Sequence, residues 1–297
     1  PYTAAVEIMC ISNNATRLSL ACSQQPKGYR QSRGPPMRLI PFLAITAMAT
    51  LAFLYLPMLA VAVLSFNKTR YGLQWSGFTW DWYVRLFSNP DILEAARNTF
   101  VLAAASTVIA TVLGTLFAIA LERYPWPRRS QGFLENILYL PVVTPDIIFA
   151  VALVVAFGAF RMVSSLFEPG LFTMILGHVT FQIAFVALTV RSRLKSLGHD
   201  LDEAARDLYA SYGYFVRRVL LPLLTPGIVA GAMLAFTLSR DNFVISFFTA
   251  GPTSQTLPLL IYASVRRGVT PEIHALSTLI FLITVLLVLA SERLTRR

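Results

Sequence analysis

Six long apolar blocks, joined by short polar segments, constrain the fold of this chain more than any other feature of its sequence. A helix needs about 18 or more largely apolar residues to cross a bilayer, and each block reaches that length. Only 13% of the 297 residues are charged, whereas soluble domains carry roughly 25%. The pattern predicts an all-α polytopic membrane protein with six transmembrane helices, at approximately 39–66, 98–121, 134–160, 171–190, 227–249 and 273–291.

Small residues and prolines within these blocks predict a closely packed bundle. Gly114, together with Ser106, Thr107 and Thr111, would let a neighbouring helix approach the second span closely. The segment LPVVTPD interrupts the third span. A membrane helix broken in this way needs neighbours that satisfy its freed carbonyl groups.

The first 36 residues do not continue the pattern. They contain neither a clear apolar core nor a convincing cleavage site, which argues against a signal peptide. We expect residues 1–36 to be a disordered extension or a wrongly assigned start, and residues 37–297 to form the membrane domain. Both cysteines, Cys10 and Cys22, lie in the extension and the histidines are scattered, so neither a disulfide framework nor a metal site is predicted.

The distribution of basic residues predicts how the chain is oriented. A net charge of +10 would suggest nucleic acid binding in a soluble protein, but in a membrane protein Lys and Arg concentrate in short cytoplasmic loops. Here they crowd the N-terminal tail, the loops after the second and fourth spans, and the C-terminus. Both termini are therefore predicted to lie in the cytoplasm, and no nucleic acid partner is expected.

The loop after the first span, on the opposite side, is rich in aromatic residues. Trp75, Trp80, Trp82 and Tyr83 fit an aromatic belt at the membrane interface. The alternative is a docking surface for an external partner.

A polar segment after the fourth span, DLDEAARDLYASYGYFVRRV (200–219), differs from everything around it. Carboxylates stand at its front and Arg217 and Arg218 near its back, which complements a helix dipole. Pro222 and Pro226 are expected to interrupt helical continuity before the fifth span. The segment is predicted to form one or two short helices on the cytoplasmic face, and an ordinary interfacial helix remains an alternative.

The motif EAARDL (203–208), followed by LP at 221–222 and PGI at 226–228, resembles the EAA loop of ABC importer permeases. The stretches YLPVVTPDIIFAVALV and GHVTFQIAFVALTVRSRL look like the spermidine/putrescine branch of that family, in particular its C-type membrane subunit. The resemblance covers residues 38–292. It implies an ABC type I importer permease fold in a bacterial inner membrane, with a coupling loop at about 200–226.

In that family the loop forms a coupling helix that sits in a groove of a cytoplasmic ATPase. Carried over by position, the coupling residues would be Glu203, Ala204, Ala205, Asp207, Leu208, Tyr209, Ala210, Phe215 and Pro222. Tyr209 stands where the family usually has glycine, a residue suited to a turn with positive φ or to a close contact.

The resemblance also implies partners. They are a dimer of cytoplasmic ABC ATPases, a second homologous permease subunit, a periplasmic or extracellular polyamine-binding protein, and the lipid bilayer. The chain itself contains no GxxxxGK[ST] phosphate loop. ATP and Mg would accordingly be used by the partner ATPase, and this chain is expected to bind no cofactor and to be a transport subunit rather than an enzyme.

Ionisable residues inside a span are candidates for a substrate path because they are costly to bury in lipid. Asp146 and Asp241 are such residues, and a linear polycation would also favour aromatic faces. The predicted path residues are Asp146, Asp241, Asn242, Phe181, Phe243 and Phe247.

One departure from the family's usual sequence weakens the prediction of a polyamine substrate. Relatives commonly have an apolar residue and an acid where this chain has Arg240 and Asn242, in the sequence LSRDNFVISFF. Permeases for iron, thiosulfate or another small solute therefore remain alternatives. A self-powered secondary transporter is a further one, although such proteins typically contain repeated halves, which the sequence does not display.

Overall fold

The computed structural model describes residues 39–69, 74–198, 200–268 and 270–295. The expected N-terminal extension, residues 1–36, lies outside the described residues. Two compact units divide the chain at Pro57, and the second, residues 58–297, contains the helical bundle. The first helix, α1 (Leu39–Leu64), begins in the first unit and is apolar over its whole length.

Helices dominate the described residues, which confirms the all-α prediction. A 3₁₀ turn at Ser165–Phe167 joins two of them, and β pairing among the described residues is confined to an isolated bridge between Asn67 and Phe78. After α1 the helices are α2 (Asp81–Ser88), α3 (Pro90–Arg123), α4 (Arg128–Val143), α5 (Asp146–Arg161), α6 (Leu171–Ser196), α7 (Asp200–Asp207), α8 (Tyr212–Asp241), α9 (Phe243–Thr249), α10 (Leu257–Arg267) and α11 (Pro271–Thr295).

The predicted count of six spans is only partly reproduced. Among the described residues, α1, α3, α6 and α8 are each long and apolar enough to cross a membrane. Helices α4 and α5 reach that length only as a pair, and they bend by 112° at their junction. The apolar part of α11, Pro271–Leu286, is shorter than a full span. The described helices therefore give four spans, or five if the bent pair counts as one.

Proline chemistry explains the bend between α4 and α5. Thr144, which precedes Pro145, has φ −74° and ψ 131°, an extended conformation. A residue before proline avoids the helical region because its backbone clashes with the proline ring. The third predicted span is consequently two helices that meet at Thr144 and Pro145.

The centre of the bundle is a close contact among α3, α6 and α8. A Cβ atom built on Gly114 would lie 2.9 Å from Cβ of Val186, which confirms the close approach predicted at Gly114. Gly227 and Gly231 on α8 face α6 in the same way, with a built Cβ of Gly227 only 2.8 Å from Cβ of Arg193. Small residues on α3 and α8 thus let both helices touch α6.

A second core, outside this central contact, holds α2 against α3, α10 and α11. Trp82 is buried there, and its indole N–H donates to the Asn67 carbonyl at 2.8 Å. The prediction of an aromatic belt is therefore wrong for Trp82, because its side chain is buried within the protein and its indole N–H is bonded to a protein carbonyl. Trp75 and Trp80 are exposed, and their role stays a prediction.

The expected interruption at Pro222 and Pro226 is also wrong, since α8 runs through both residues. Its first turns contain a π-helical turn at Val216–Leu220, in which the Leu221 N–H donates to the Val216 carbonyl. Such a turn spreads the carbonyls and makes room for the ring of Pro222. The fifth membrane helix therefore begins within the polar segment, at Tyr212, and is mechanically continuous with it.

The α3–α6 contact predicts that Gly114→Ala destabilises the protein. The added methyl would meet Val186, and overpacking of this kind costs about 1–3 kcal/mol. Gly158→Ala on α5 is the matched control, because a Cβ built there meets nothing within 4 Å. Thermal unfolding of the purified full-length protein should show a lower midpoint for Gly114→Ala alone. Equal midpoints for the two variants would contradict the contact.

Candidate functional site

Helix α7 ends in a Schellman motif centred on Tyr209. The Tyr209 amide donates to the Arg206 carbonyl at 2.9 Å, and the Ala210 amide donates to the Ala205 carbonyl at 3.0 Å. The motif requires a left-handed residue, and Tyr209 has φ +53°. The turn with positive φ suggested by the sequence is therefore present, with a tyrosine where glycine would fit without strain.

The predicted coupling residues divide into an exposed set and an anchoring set. Phe215 is buried, and Ala205 packs against the same core cluster. Ala210 is half-buried and lines a groove of about 140 Å³ beside them. The exposed residues include Leu208 and Tyr209, with 81% and 97% of their surfaces accessible, and the set is Glu203, Ala204, Asp207, Leu208, Tyr209 and Pro222.

Two exposed tyrosines extend this surface beyond the residues that the sequence predicted. Tyr212 and Tyr214, at the start of α8, are 64% and 60% accessible. With Leu208 and Tyr209 they make four exposed apolar or aromatic side chains within residues 208–214, which we call the α7 surface. Exposed apolar side chains grouped on a surface can mark contact sites in proteins.

Ion pairs connect α7 with α3, and connect α6 with α3 and α4. Arg123, the last residue of α3, lies 2.5 Å from the Asp202 carboxylate and donates to the Gly198 carbonyl at 2.6 Å. Arg191 on α6 binds Glu122 of α3 at 2.9 Å and also Glu135 of α4. In the sequence, Arg123 and Arg191 indicate only the orientation of the chain, as part of the basic residues near the ends of the second and fourth predicted spans.

The break between α4 and α5 carries the first predicted path residue. Asp146 is the first residue of α5 and is exposed. A carboxylate in the first turn of a helix complements the helix dipole. Its position fits a helix-end role at least as well as a path role, so the path role stays a prediction.

A second break, between α8 and α9, carries three more predicted path residues, which are Asp241, Asn242 and Phe243. Asn242 caps α9 by accepting from the Ile245 N–H at 2.9 Å. Arg240 pairs with Asp241, its Nε lying 3.0 Å from Oδ1. Asp241, Arg240 and Phe243 line a largely apolar cavity of about 680 Å³ between α3, α8, α10 and α11. Asp241 is therefore ion-paired with Arg240 at the edge of this cavity.

Aromatic rings continue from this break. The ring of Phe243 lies 4.8 Å from that of Tyr262 and 5.4 Å from that of Phe247, centroid to centroid. Phe181 belongs elsewhere, since it is buried in a cluster with Ala150 and Ile245. Of the predicted path residues, Asp241 and Phe243 line the cavity, and Asn242, Asp146, Phe181 and Phe247 do not. Phe247 is connected to the cavity through its contact with Phe243, and Phe181 lies in a separate cluster.

His178 spans the α8–α9 break, and the sequence analysis missed it. Its Nδ1 lies 2.9 Å from the Ser239 hydroxyl and its Nε2 lies 3.0 Å from the Ser246 hydroxyl, one on each side of Asn242. Ser239 in turn contacts the hydroxyl of Ser106 on α3 at 3.0 Å. A histidine within an apolar block of the sequence, as at 178, is a signal that could have identified this link.

Within the described ranges, no three His, Cys, Asp or Glu side chains gather closely enough to hold a metal ion.

Comparison with known proteins identifies the family. Residues 110–297 match the model described as "Binding-protein-dependent transport system inner membrane component". The "Spermidine/putrescine transport system permease protein PotC" of Escherichia coli (strain K12) is 40% identical over 248 residues, which cover 84% of this chain and 91% of the relative. The chain belongs to this family of inner membrane components.

Two further comparisons bear on this inner membrane component. The "Putrescine transport system permease protein PotI" of Escherichia coli (strain K12) is 38% identical over 246 residues, which cover 82% of this chain and 87% of the relative. A bacterial ABC transporter that imports the acidic polysaccharide alginate has a chain with a TM-score of 0.70 at 19% identity, covering 87% of this chain and 95% of its own. That likeness shows a shared importer fold.

The left-handed backbone of Tyr209 predicts that Tyr209→Gly stabilises this inner membrane component. Removing a bulky residue from φ +53° relieves about 1 kcal/mol of backbone strain. Tyr214→Gly is the control, because it removes a similarly exposed tyrosine from a regular helical turn and should cost about 0.5–1 kcal/mol. Hydrogen exchange of the backbone amides at 204–215 should slow in the first variant and accelerate in the second. Faster exchange in both would contradict the strained turn.

Proposed function

We propose that this inner membrane component is one of two permease subunits in an ATP-driven importer of polyamines. The substrate class is carried by one observation, the 40% and 38% identity to PotC and PotI over more than four-fifths of the chain. A cavity lined by Asp241 and aromatic rings supports it, because ammonium groups are attracted to carboxylates and to ring faces.

The α7 surface would be the contact with a separate cytoplasmic ATPase. Glu203 and Ala204 are exposed, as are Leu208 and Tyr209, so these side chains would be accessible to such a partner. ATP and Mg would be bound and used by that ATPase as a dimer. Closure of the dimer would pull on α7 and, through the continuous helix α8, on the polar break at Asn242.

Transport would proceed by alternating access between two permease chains. The described helices give at most five full spans, too few to enclose a path comfortably, and a second homologous subunit would complete it. An external polyamine-binding protein would deliver the substrate to the outer mouth. Both termini would lie in the cytoplasm, in keeping with the concentration of basic residues there.

Within the path, Asp241, Phe243 and Phe247 would meet the substrate first, and Asn242 would set the angle between α8 and α9. Asp146 would be a second carboxylate at the α4–α5 break, and Phe181 would support the path from the buried side of α6. Arg240 would compete with the substrate for Asp241, since the two side chains are paired.

Co-purification followed by reconstituted uptake tests this function. Tagged wild-type protein, expressed with its neighbouring transport subunits, should retain an ATPase. Proteoliposomes that contain this complex should take up radiolabelled putrescine or spermidine only when ATP and the binding protein are present. Uptake by the lone chain without ATP would indicate a secondary transporter. Uptake of thiosulfate or ferric iron in place of polyamines would contradict the substrate class.

Asp241→Asn should reduce polyamine uptake while leaving assembly of the complex intact. Loss of one charged contact weakens apparent affinity about tenfold, seen as a higher KM. Asp81→Asn, an exposed carboxylate at the start of α2, is the matched control. An unchanged KM in Asp241→Asn would remove this residue from the path.

The paired change Arg240→Leu and Asn242→Asp should have the opposite effect. It frees Asp241 and adds a second carboxylate, while aspartate can still cap α9. We expect KM for spermidine to fall about tenfold. Arg240→Leu alone, which frees Asp241 without adding a carboxylate, should lower KM by less than the paired change. A KM for the paired variant that equals or exceeds the wild-type value would show that Arg240 does not oppose a cation.

A further inference from the structure

Ion pairs join charged residues of α3, α4, α6 and α7 in two neighbouring groups. We propose that Asp202, Arg123, Glu122, Arg191 and Glu135 form an ionic linkage that transmits displacement of α7 to α3, α4 and α6. These are positioning residues, since none of them belongs to the α7 surface. The proposal rests on the proposed function, in which an ATPase moves α7.

The first part of the linkage ties α7 to α3. Arg123 has 3% of its side chain exposed and Asp202 has 15%, and their charged atoms are 2.5 Å apart. Arg123 also holds the carbonyl of Gly198, in the turn between α6 and α7, where φ is +66°. One guanidinium thus fixes both the helix and the turn that precedes it, and a guanidinium is suited to such a geometry because its donors form a rigid fork.

The second part ties α3 to α4 and α6. Arg191 has 8% of its side chain exposed and binds the carboxylates of Glu122 and Glu135. Glu122 is the neighbour of Arg123 in α3. The two groups of ion pairs are therefore joined through consecutive residues, Glu122 and Arg123, at the end of α3. A force on Asp202 would reach Arg191 through these two residues.

Weak apolar attachment makes this linkage important for α7. The helix contains no buried residue, and only Leu201 and Ala205 pack partly against the core. A buried ion pair resists separation because either partner would be left charged and unpaired in a poorly solvated site. When α7 is pulled, the end of α3 is therefore expected to follow it.

A transport assay on the reconstituted full complex separates transmission from mere stability. The quantity measured is polyamine taken up per ATP hydrolysed. Asp202→Asn and Arg191→Gln should retain the ATPase subunit and its hydrolysis while uptake per ATP falls roughly five- to tenfold. Arg123→Lys, which preserves the charge, should be affected less. Asp200→Asn, an exposed carboxylate on the same helix, is the control and should behave as wild type.

A distance measurement tests the linkage independently of uptake. Spin labels on Tyr124→Cys and Asp200→Cys, with Cys10 and Cys22 replaced by Ser, report the separation between the end of α3 and α7. In the otherwise wild-type complex this separation should stay constant between nucleotide-free and ATP-bound states. With Asp202→Asn added, it should change between the two states.

These outcomes separate the linkage from the proposed function. A complex without any ATPase would contradict the proposed function itself. A complex that hydrolyses ATP and transports polyamine, with unchanged uptake per ATP in Asp202→Asn and Arg191→Gln, would overturn the linkage alone. A wild-type distance that changes with nucleotide as much as the variant's would overturn it as well.

Discussion

Unsatisfied backbone polar groups cost several kcal/mol each in a bilayer, and the architecture of this protein follows from that constraint. Long helices satisfy almost all of these groups within themselves. The two places where a membrane helix breaks, at Thr144–Pro145 and at Asn242, therefore need local compensation. At the second break Asn242 caps α9, and His178 bridges Ser239 and Ser246. The break that lines the candidate path is thus held in a defined shape.

Close packing makes this compensation possible. Gly114, Gly227 and Gly231 bring α3 and α8 onto α6, so that side chains on one helix reach polar groups on the next. In lipid, helix association depends on such backbone approach, because apolar side chains gain little by leaving the hydrocarbon. The contact between the hydroxyls of Ser106 and Ser239, at 3.0 Å, joins α3 to α8. In the proposed mechanism this packing would transmit movement from one end of the bundle to the other.

The two ends of α8 connect a surface suited to a partner with a cavity suited to a solute. Its first turn contributes Tyr212 and Tyr214 to the α7 surface, and its last residue, Asp241, lines the cavity. The π turn at Val216–Leu220 preserves continuity past Pro222. The proposed coupling of ATP use to transport relies on this continuity, and on the ionic linkage that joins α7 to α3.

The amino-acid sequence by itself determined the membrane-embedded all-α class, the small residues that allow close approach at Gly114, and the polar segment with its EAARDL motif. Each depends on composition or on neighbours along the chain, so each could be predicted locally. The tertiary structure decided what depends on distant partners: Trp82 is buried against Asn67, Arg240 neutralises Asp241, Phe181 lies apart from the cavity, and α8 passes through its prolines. It also revealed the pairing of Arg123 with Asp202 and of Arg191 with Glu122. A charge near a helix end looks the same in sequence whether it faces water or another helix, because its partner is fixed only when the helices pack.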